Sequence, residues 1–270
     1  SLGLVGSEMC IRDRAQADLL REDERVFLYG QDIAGFGGAF KATKGLASEF
    51  PGRVIDAPIS EDAMIGVAIG AALEGMRPII EMQFADFSSI AFNQIVNHAG
   101  THFFRTGVPV PITVRLPSGG TAGSGPFHSQ SMETIYAHYP GLVVVTPATV
   151  ADAYSLLVQA VRLDDPVLFC EHKFLYRWLK AKSLVGDHLP LGRARLMRMG
   201  RHATVVTYSA MVHEAMRAAE RLQQESGWEI EVVDLRTVKP LDMDTVLASV
   251  ARTGRILSLI HISEPTRPRL

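Results

Sequence analysis

Short apolar segments alternate with longer helical patterns along most of the chain. The apolar segments predict strands at residues 26–29, 54–55, 79–83, 110–116, 142–146, 167–171, 204–208 and 229–234. Between them, helical spacing or capping residues predict helices at 18–24, 41–50, 61–73, 88–102, 150–162, 212–224 and 242–251. This alternation predicts an α/β fold with a doubly wound, mostly parallel sheet. A polar segment at 180–201 interrupts the pattern, which then resumes and predicts a second, truncated α/β domain.

The helix predicted at residues 61–73 has an unusual composition. Ser60 is a suitable N-cap and Glu61 lies in the first turn, where the helix dipole favours acids. Residues 63–73 carry no charge, which predicts burial on nearly all sides. Gly66 and Gly70 each cost about 1 kcal/mol relative to alanine, so we expect another backbone to pack closely there. Glu61 is therefore either a helix-capping acid or a buried carboxylate that exchanges a proton with a ligand.

Composition and charge narrow the possible functions. The chain has 270 residues, of which 47% are hydrophobic, and its formal net charge is -2. This balance gives no support for a nucleic-acid or membrane-surface partner, and no apolar segment approaches the roughly 20 residues that span a bilayer. Two cysteines are too few for a disulfide framework or a metal cluster. These features predict a cytoplasmic protein.

The two ends of the chain are related through a possible coding sequence. If residues 257–266 are encoded by the end of a common transposon adapter, the complementary strand encodes Val5 to Asp13 after a one-base shift. This relationship predicts that residues 1–14 and 257–270 derive from a library adapter and lie outside the natural fold. The natural fragment is then expected between about Ala15 and Ile256.

A glycine-rich segment follows the strand predicted at 110–116. Residues 117–126 are rich in glycine and small residues, which predicts a mobile surface loop, and His128 lies directly after it. An earlier segment, Gly35-Phe-Gly-Gly38, lacks the third glycine of a dinucleotide-binding fingerprint because Phe40 occupies that position. A dinucleotide site is therefore not predicted.

Several short motifs, in this order, carry a family resemblance. They are Ile59-Ser-Glu61, Glu81-Met-Gln-Phe-Ala-Asp-Phe87, Asn93-Gln-Ile-Val-Asn97, Phe127-His-Ser-Gln-Ser131, Pro140-Gly-Leu-Val-Val144 and Glu171-His-Lys-Phe-Leu-Tyr176. Together they resemble the β subunit of thiamine-diphosphate-dependent 2-oxo acid dehydrogenases of the pyruvate, branched-chain and acetoin types. The resemblance implies a pyrimidine-binding domain at 15–185, followed by a linker and a truncated transketolase C-terminal-like domain at 186–256.

The resemblance also implies roles for four residues. Glu61 would be the buried acid that donates a proton to the aminopyrimidine ring of the cofactor. Phe87 would stack on that ring, and Gln83 would be a polar neighbour of the cofactor. His128 would face the substrate and the incoming lipoyl group and act as a proton donor. Judged by its local sequence alone, each could instead be structural or solvent-exposed: a core phenylalanine, a solvated strand end or a loop histidine.

The cofactor is expected to be shared with another chain. The sequence contains no Gly-Asp-Gly motif, which thiamine enzymes use to hold Mg²⁺ and the diphosphate. The resemblance therefore implies that this chain binds only the pyrimidine half and holds no metal, while an α subunit or fused α region holds Mg²⁺. A second β subunit, a lipoyl acyltransferase core and a small 2-oxo acid substrate are the other implied partners.

The sequence departs from the family pattern at two positions, and three alternative functions remain open. Gln31 stands where the family has a glutamate, which puts an acidic relay between paired sites in doubt, and Leu163 replaces an acid associated with a potassium ion. A transketolase-like or deoxyxylulose-phosphate-synthase-like transferase is disfavoured because Asp62, rather than histidine, follows Glu61. A non-catalytic scaffold subunit is the third possibility. Details of the motifs slightly favour a branched-chain substrate over pyruvate or acetoin.

Overall fold

The computed structural model describes residues 6–181 and 189–260. The strands of this part are β1 Gly6–Ser7, β2 Val26–Gly30, β3 Val54–Asp56, β4 Arg77–Glu81, β5 Thr113–Ser118, β6 Val143–Val145, β7 Val167–His172, β8 Lys180–Ala181, β9 Arg195–Arg198, β10 Ala203–Thr207, β11 Ile230–Asp234, β12 Thr237–Lys239 and β13 Ile256–Ser258. The α-helices are α1 Glu8–Glu22, α2 Leu46–Glu49, α3 Glu61–Leu73, α4 Gly100–Thr106, α5 Glu133–Ala137, α6 Val150–Arg162, α7 Leu175–Trp178, α8 Ala210–Ser226 and α9 Met243–Thr253. A π-helical segment, Gln94–Ala99, precedes α4, and Ala85–Ser89 and Pro126–His128 form 3-10 turns.

The largest sheet has seven strands in the order β12-β6-β7-β5-β4-β2-β3. All neighbouring pairs are parallel except β12 and β6, which are antiparallel. One face packs against α3 and the π-helical segment, and the other packs against α1 and α6. The predicted doubly wound, mostly parallel sheet is therefore confirmed.

A second sheet has four strands in the order β13-β10-β11-β9. Strand β9 lies within the segment predicted to be a linker, and it pairs antiparallel with β11 at the sheet edge. It has only two apolar residues, which lie between Arg195 and Arg198, so it lacks the continuous apolar run that revealed the central strands. Strand β12 comes from the predicted second domain but joins the first sheet, while the predicted boundary at 185/186 lies outside the described residues.

Two predicted helices differ from the structure at the N-terminal side. The helix predicted at 41–50 is only the single turn α2, because Lys41 and Gly45 adopt left-handed conformations with φ of 62° and 90°. The polar helix predicted at 18–24 is the end of the longer α1, whose buried Leu19 and Leu20 pack in the same core as α6. The adapter origin of residues 1–14 and 257–270 stays a prediction, and residues 1–5 and 261–270 lie outside the described residues.

Helix α3 is buried on one side only. Met64, Ile65 and Ala68 lie in the core, whereas Val67 is 52% exposed and Leu73 is 39% exposed. A side chain at Gly66 would have only Gln94 within reach, at 3.9 Å, and one at Gly70 would meet nothing within 4 Å. Within this chain α3 is therefore neither buried on nearly all sides nor closely packed by another backbone, and its burial at a subunit interface stays a prediction. The uncharged sequence reflects an apolar face that this chain leaves open.

Candidate active site

The predicted site residues follow the carboxyl ends of neighbouring parallel strands. Gly30 at the end of β2 lies in register with Asp56 of β3 and Glu81 of β4. The next strands end in register at Ser118 and His172. Ligands of doubly wound folds bind beyond this edge of the sheet. Gln31, Glu61, Gln83, Phe87 and His128 all lie in the connections that leave it.

Glu61 is the first residue of α3 and only 7% exposed. Ser60 occupies the N-cap position in an extended conformation, but its side chain makes no capping hydrogen bond. Within the described part of the chain, the Glu61 carboxylate has no hydrogen-bond or ion-pair partner. The residue is largely buried, but its carboxylate oxygens stay accessible at this edge of the sheet, so Glu61 is able to bond a ligand.

Gln31 points toward the same helix. Its side chain is 5% exposed, and Nε2 donates a hydrogen bond to Met64 Sδ at 3.6 Å. Met64 lies one turn after Glu61, so Gln31 packs beside the first turn of α3. Gln83, two residues beyond β4, is half-buried, and its amide makes no hydrogen bond to any other described residue.

Phe87 and His128 meet in an aromatic cluster. Their ring centroids are 5.4 Å apart, and both rings contact Phe84, at 5.6 and 4.5 Å. All three contacts are edge-to-face, which is a favourable arrangement of aromatic rings. Phe40 extends the cluster from Phe84 to Tyr176. The structure thus brings together two predicted site residues that are 41 positions apart in the sequence.

A buried ion network that was not predicted from the sequence lies in the sheet next to this edge. Arg115 on β5 is 1% exposed and donates to Glu81 Oε2 at 2.6 Å and to Glu171 Oε2 at 3.0 Å. Burial by itself would lower the pKa of Arg115, but the charges of Glu171 and Glu81 outweigh it and hold the pKa above its usual value. The network fixes the ends of β4 and β7. An arginine inside an apolar predicted strand was the available signal.

The end of β7 also holds a neutral imidazole. Burial, together with the positive charge of Lys173, lowers the pKa of His172 to about 4. Its Nδ1 accepts a hydrogen bond from the backbone N–H of Phe174 at 3.2 Å, which places the proton of the neutral ring on Nε2. The ring packs so closely on Gly119 that any side chain there would overlap it. His172 therefore fixes the base of the glycine-rich loop.

Comparison with known proteins identifies the family. Residues 11–178 match the family model described as transketolase, pyrimidine binding domain, and residues 192–261 match transketolase, C-terminal domain. Over 247 residues, the chain is 47% identical to the 2-oxoisovalerate dehydrogenase subunit beta of Bacillus subtilis, which covers 90% of this chain and 75% of that relative. The chain belongs to the β-subunit family of 2-oxo acid dehydrogenases.

Other relatives of this β subunit carry names for different substrates. It is 42% identical to the acetoin:2,6-dichlorophenolindophenol oxidoreductase subunit beta of Cupriavidus necator, covering 93% of this chain and 77% of that relative. It is 40% identical to the pyruvate dehydrogenase E1 component subunit beta of Staphylococcus aureus, covering 87% and 74% respectively. The predicted oxidoreductase function, as the β part of a thiamine-diphosphate-dependent decarboxylating component, is confirmed. The family name also implies an α partner.

A solved structure supports the fold of this β subunit. This β subunit matches a solved chain described as "Split gene transketolase, inactive beta4 tetramer" with a TM-score of 0.75 and 23% identity. The match covers 94% of this chain and 79% of the solved chain. At this identity the similarity concerns the fold alone. Among the described residues, no helix is both long and apolar enough to cross a membrane, and the cytoplasmic location stays a prediction.

Proposed function

We propose that this chain forms the pyrimidine-facing half of an active site that an α subunit completes. The observation that carries the proposal is Glu61, a buried carboxylate without a partner among the described residues, at a helix N-terminus on the ligand-binding edge. These features fit a group that bonds the aminopyrimidine of thiamine diphosphate. The sequence lacks Gly-Asp-Gly, so we expect Mg²⁺ and the diphosphate to be held by the α partner.

The chain's own residues then have distinct tasks. When bound, thiamine diphosphate supplies the nucleophile and electron sink for decarboxylation of a 2-oxo acid. The Glu61 carboxyl group would hydrogen-bond the distal ring nitrogen of the aminopyrimidine and exchange a proton with it. Phe87 supplies an aromatic surface against the ring, and the amide of Gln83, which bonds no other described residue, can hydrogen-bond the cofactor. His128, beside Phe87, donates a proton during acyl transfer to the lipoyl group of an acyltransferase core.

Replacing Glu61 tests the central role. In the enzyme reconstituted with its α partner, Glu61→Gln should reduce decarboxylation by at least 100-fold, because the amide keeps the shape but not the exchangeable acid proton. Asp62→Asn is a matched control: Asp62 is in the same turn, half-buried, and accepts a weak 3.4 Å hydrogen bond from Gln94. Its activity should stay near that of the unmodified enzyme. Near-normal turnover of Glu61→Gln, with circular dichroism showing an intact fold, would refute the assignment.

Replacing His128 tests the lipoyl step separately. His128→Ala should spare decarboxylation measured with an artificial electron acceptor more than it spares acylation of a lipoyl domain. His138→Ala is the control, because His138 is an exposed residue at the end of α5. Equal loss of both activities in His128→Ala would contradict a specific role in acyl transfer.

We also propose a branched-chain 2-oxo acid as the substrate. The support is the sequence motifs together with the relative named for 2-oxoisovalerate, which is 47% identical, compared with 42% and 40% for those named for acetoin and pyruvate. Steady-state kinetics with 2-oxoisovalerate, pyruvate and acetoin would decide. A higher kcat/KM for pyruvate or acetoin would overturn this choice.

A further inference from the structure

The loop that carries His128 is closed at its base by hydrogen bonds. The backbone N–H of Gly119 donates to the carbonyl of Gln130 at 3.0 Å, and the N–H of Lys173 donates to the carbonyl of Ser118, also at 3.0 Å. Residues 119–130 therefore leave and rejoin the fold at nearly the same point. These bonds fix the ends of the loop, but they do not fix the His128 ring over the aromatic cluster.

Asp86 holds the returning half of this loop. Its side chain is 5% exposed, and Oδ1 accepts hydrogen bonds from the backbone N–H groups of Ser129 and Gln130, both at 3.1 Å. Hydrogen bonds to an ionised acceptor are about twice as strong as neutral ones. Asp86 belongs to the 3-10 turn Ala85–Ser89, in which Phe87 is the next residue. One short turn thus presents both Phe87 and the carboxylate that binds the loop.

Lys173 holds the same segment from the end of β7. Its side chain is 5% exposed, and Nζ donates to the backbone carbonyl of His128 at 2.6 Å. The same nitrogen lies 5.1 Å from the centroid of the Phe84 ring. Asp86 from the turn that follows β4 and Lys173 from the end of β7 therefore bind consecutive backbone groups of residues 128–130.

We propose that Asp86 and Lys173 are positioning residues that hold His128 beside Phe87. Asp86 binds the two N–H groups after the histidine, and Lys173 binds the histidine's own carbonyl, so the imidazole is presented from a fixed backbone. Because Asp86 and Phe87 share a turn, displacement of this turn also displaces His128. The proposal rests on the proposed role of His128 in acyl transfer.

Amide hydrogen exchange tests the positioning directly, without any activity measurement. In the complex with the α partner, Asp86→Ala should speed exchange of the Ser129 and Gln130 amides by at least tenfold. Asp86→Asn retains an acceptor oxygen of the same shape and should restore most of the protection. Ser89→Ala is the matched control, since Ser89 Oγ donates to the Asp86 carbonyl within the turn and does not contact the loop. Unchanged exchange in Asp86→Ala would overturn the proposal.

Activity then distinguishes failure of the positioning from failure of the proposed function. Asp86→Ala and Lys173→Met should each lower kcat for lipoyl acylation by at least tenfold, with less than a threefold change in decarboxylation by the artificial-acceptor assay. Faster exchange with normal acylation would retain the positioning but contradict the role of His128. If Asp86→Ala, Lys173→Met and Asp86→Asn each lose decarboxylation and lipoyl acylation to the same extent, the contribution of these residues is merely structural. That result would overturn the proposal.

Discussion

Helices α3 and α6 have the same length of 13 residues and cover opposite faces of the same sheet. Their outward sides differ in how they bond to other elements of this chain. The outward residues of α6 bond to neighbouring elements: Tyr154 to Asp18, Gln159 to Leu189 and Leu191. Those of α3 after Asp62 are uncharged, and the exposed Val67 and Leu73 are among them.

The N-termini of the two helices differ in the same way. Thr149 caps α6, with its Oγ1 accepting from the N–H of Asp152 at 3.1 Å. Ser60 makes no such bond, and the acid that follows it has no partner among the described residues. An element that satisfies its polar groups and covers its apolar surface within the chain is structural. An element that does neither is suited to bind other molecules, and we propose the cofactor at one end of α3 and a partner subunit along its side.

The largest effect is expected from a charge on the open face of α3. We expect Val67→Asp to weaken assembly with the α partner or the second β subunit at least 100-fold, about 2.7 kcal/mol, because the partner would bury an unpaired carboxylate. Arg162→Gln, at the exposed end of α6, should leave assembly unchanged. Analytical ultracentrifugation of the reconstituted enzyme measures both. Normal assembly of Val67→Asp would mean that this face stays open to solvent.

Removal of a leucine from each helix should give unequal losses of stability. Leu157 is fully buried, so Leu157→Ala should lower the free energy of unfolding by roughly 2–5 kcal/mol. Leu73 is 39% exposed, and Leu73→Ala should cost less than about 1 kcal/mol in the unassembled chain. Denaturant titration of the chain without its partners gives both values. Equal losses would contradict the view that α3 is open on one side.

Removal of the two N-cap side chains should give the smallest difference. Thr149→Ala should cost about 1 kcal/mol of unfolding free energy, because it deletes an observed capping bond. Ser60→Ala should cost only a few tenths of a kcal/mol, since its hydroxyl caps nothing. The same titration measures both, and a larger effect at Ser60 would show that the hydroxyl does bond to α3.

Much of the fold was accessible from local patterns in the sequence. The start and end of α3 and α6 were predicted at the residues where the structure has them, because capping residues, glycine and proline act within a few positions. Strand β9 was missed, and the helix predicted at 41–50 is only the short turn α2. An edge strand lacks a continuous apolar run, and a helix interrupted by left-handed residues cannot be recognised from composition when one of them is a lysine.

The residues of the site also fall into two groups, those predicted from sequence motifs and those that were not predicted. The four predicted site residues were found through motifs, and the structure places Phe87 and His128 in contact, whereas the roles of all four stay predictions. Asp86, Lys173 and Arg115 were not predicted, because each acts through partners that are distant in the sequence. Asp86 and Ser129, for example, are 43 residues apart.

Residue types and local spacings were enough to predict the alternation of strands and helices, the position of Glu61 at a helix start, and the family. Each of these can be recognised within a short segment or motif by motif. The folded chain was needed to show that Glu61 lacks a partner among the described residues, that Asp86 and Lys173 bond to the His128 loop, and that α3 exposes an uncharged face. Those features depend on which distant segments meet when the sheet forms. The spacing of hydrophobic residues along the chain does not specify such pairings. The face of α3 shows this clearly, because the same uncharged sequence fits burial within the chain and burial against another subunit.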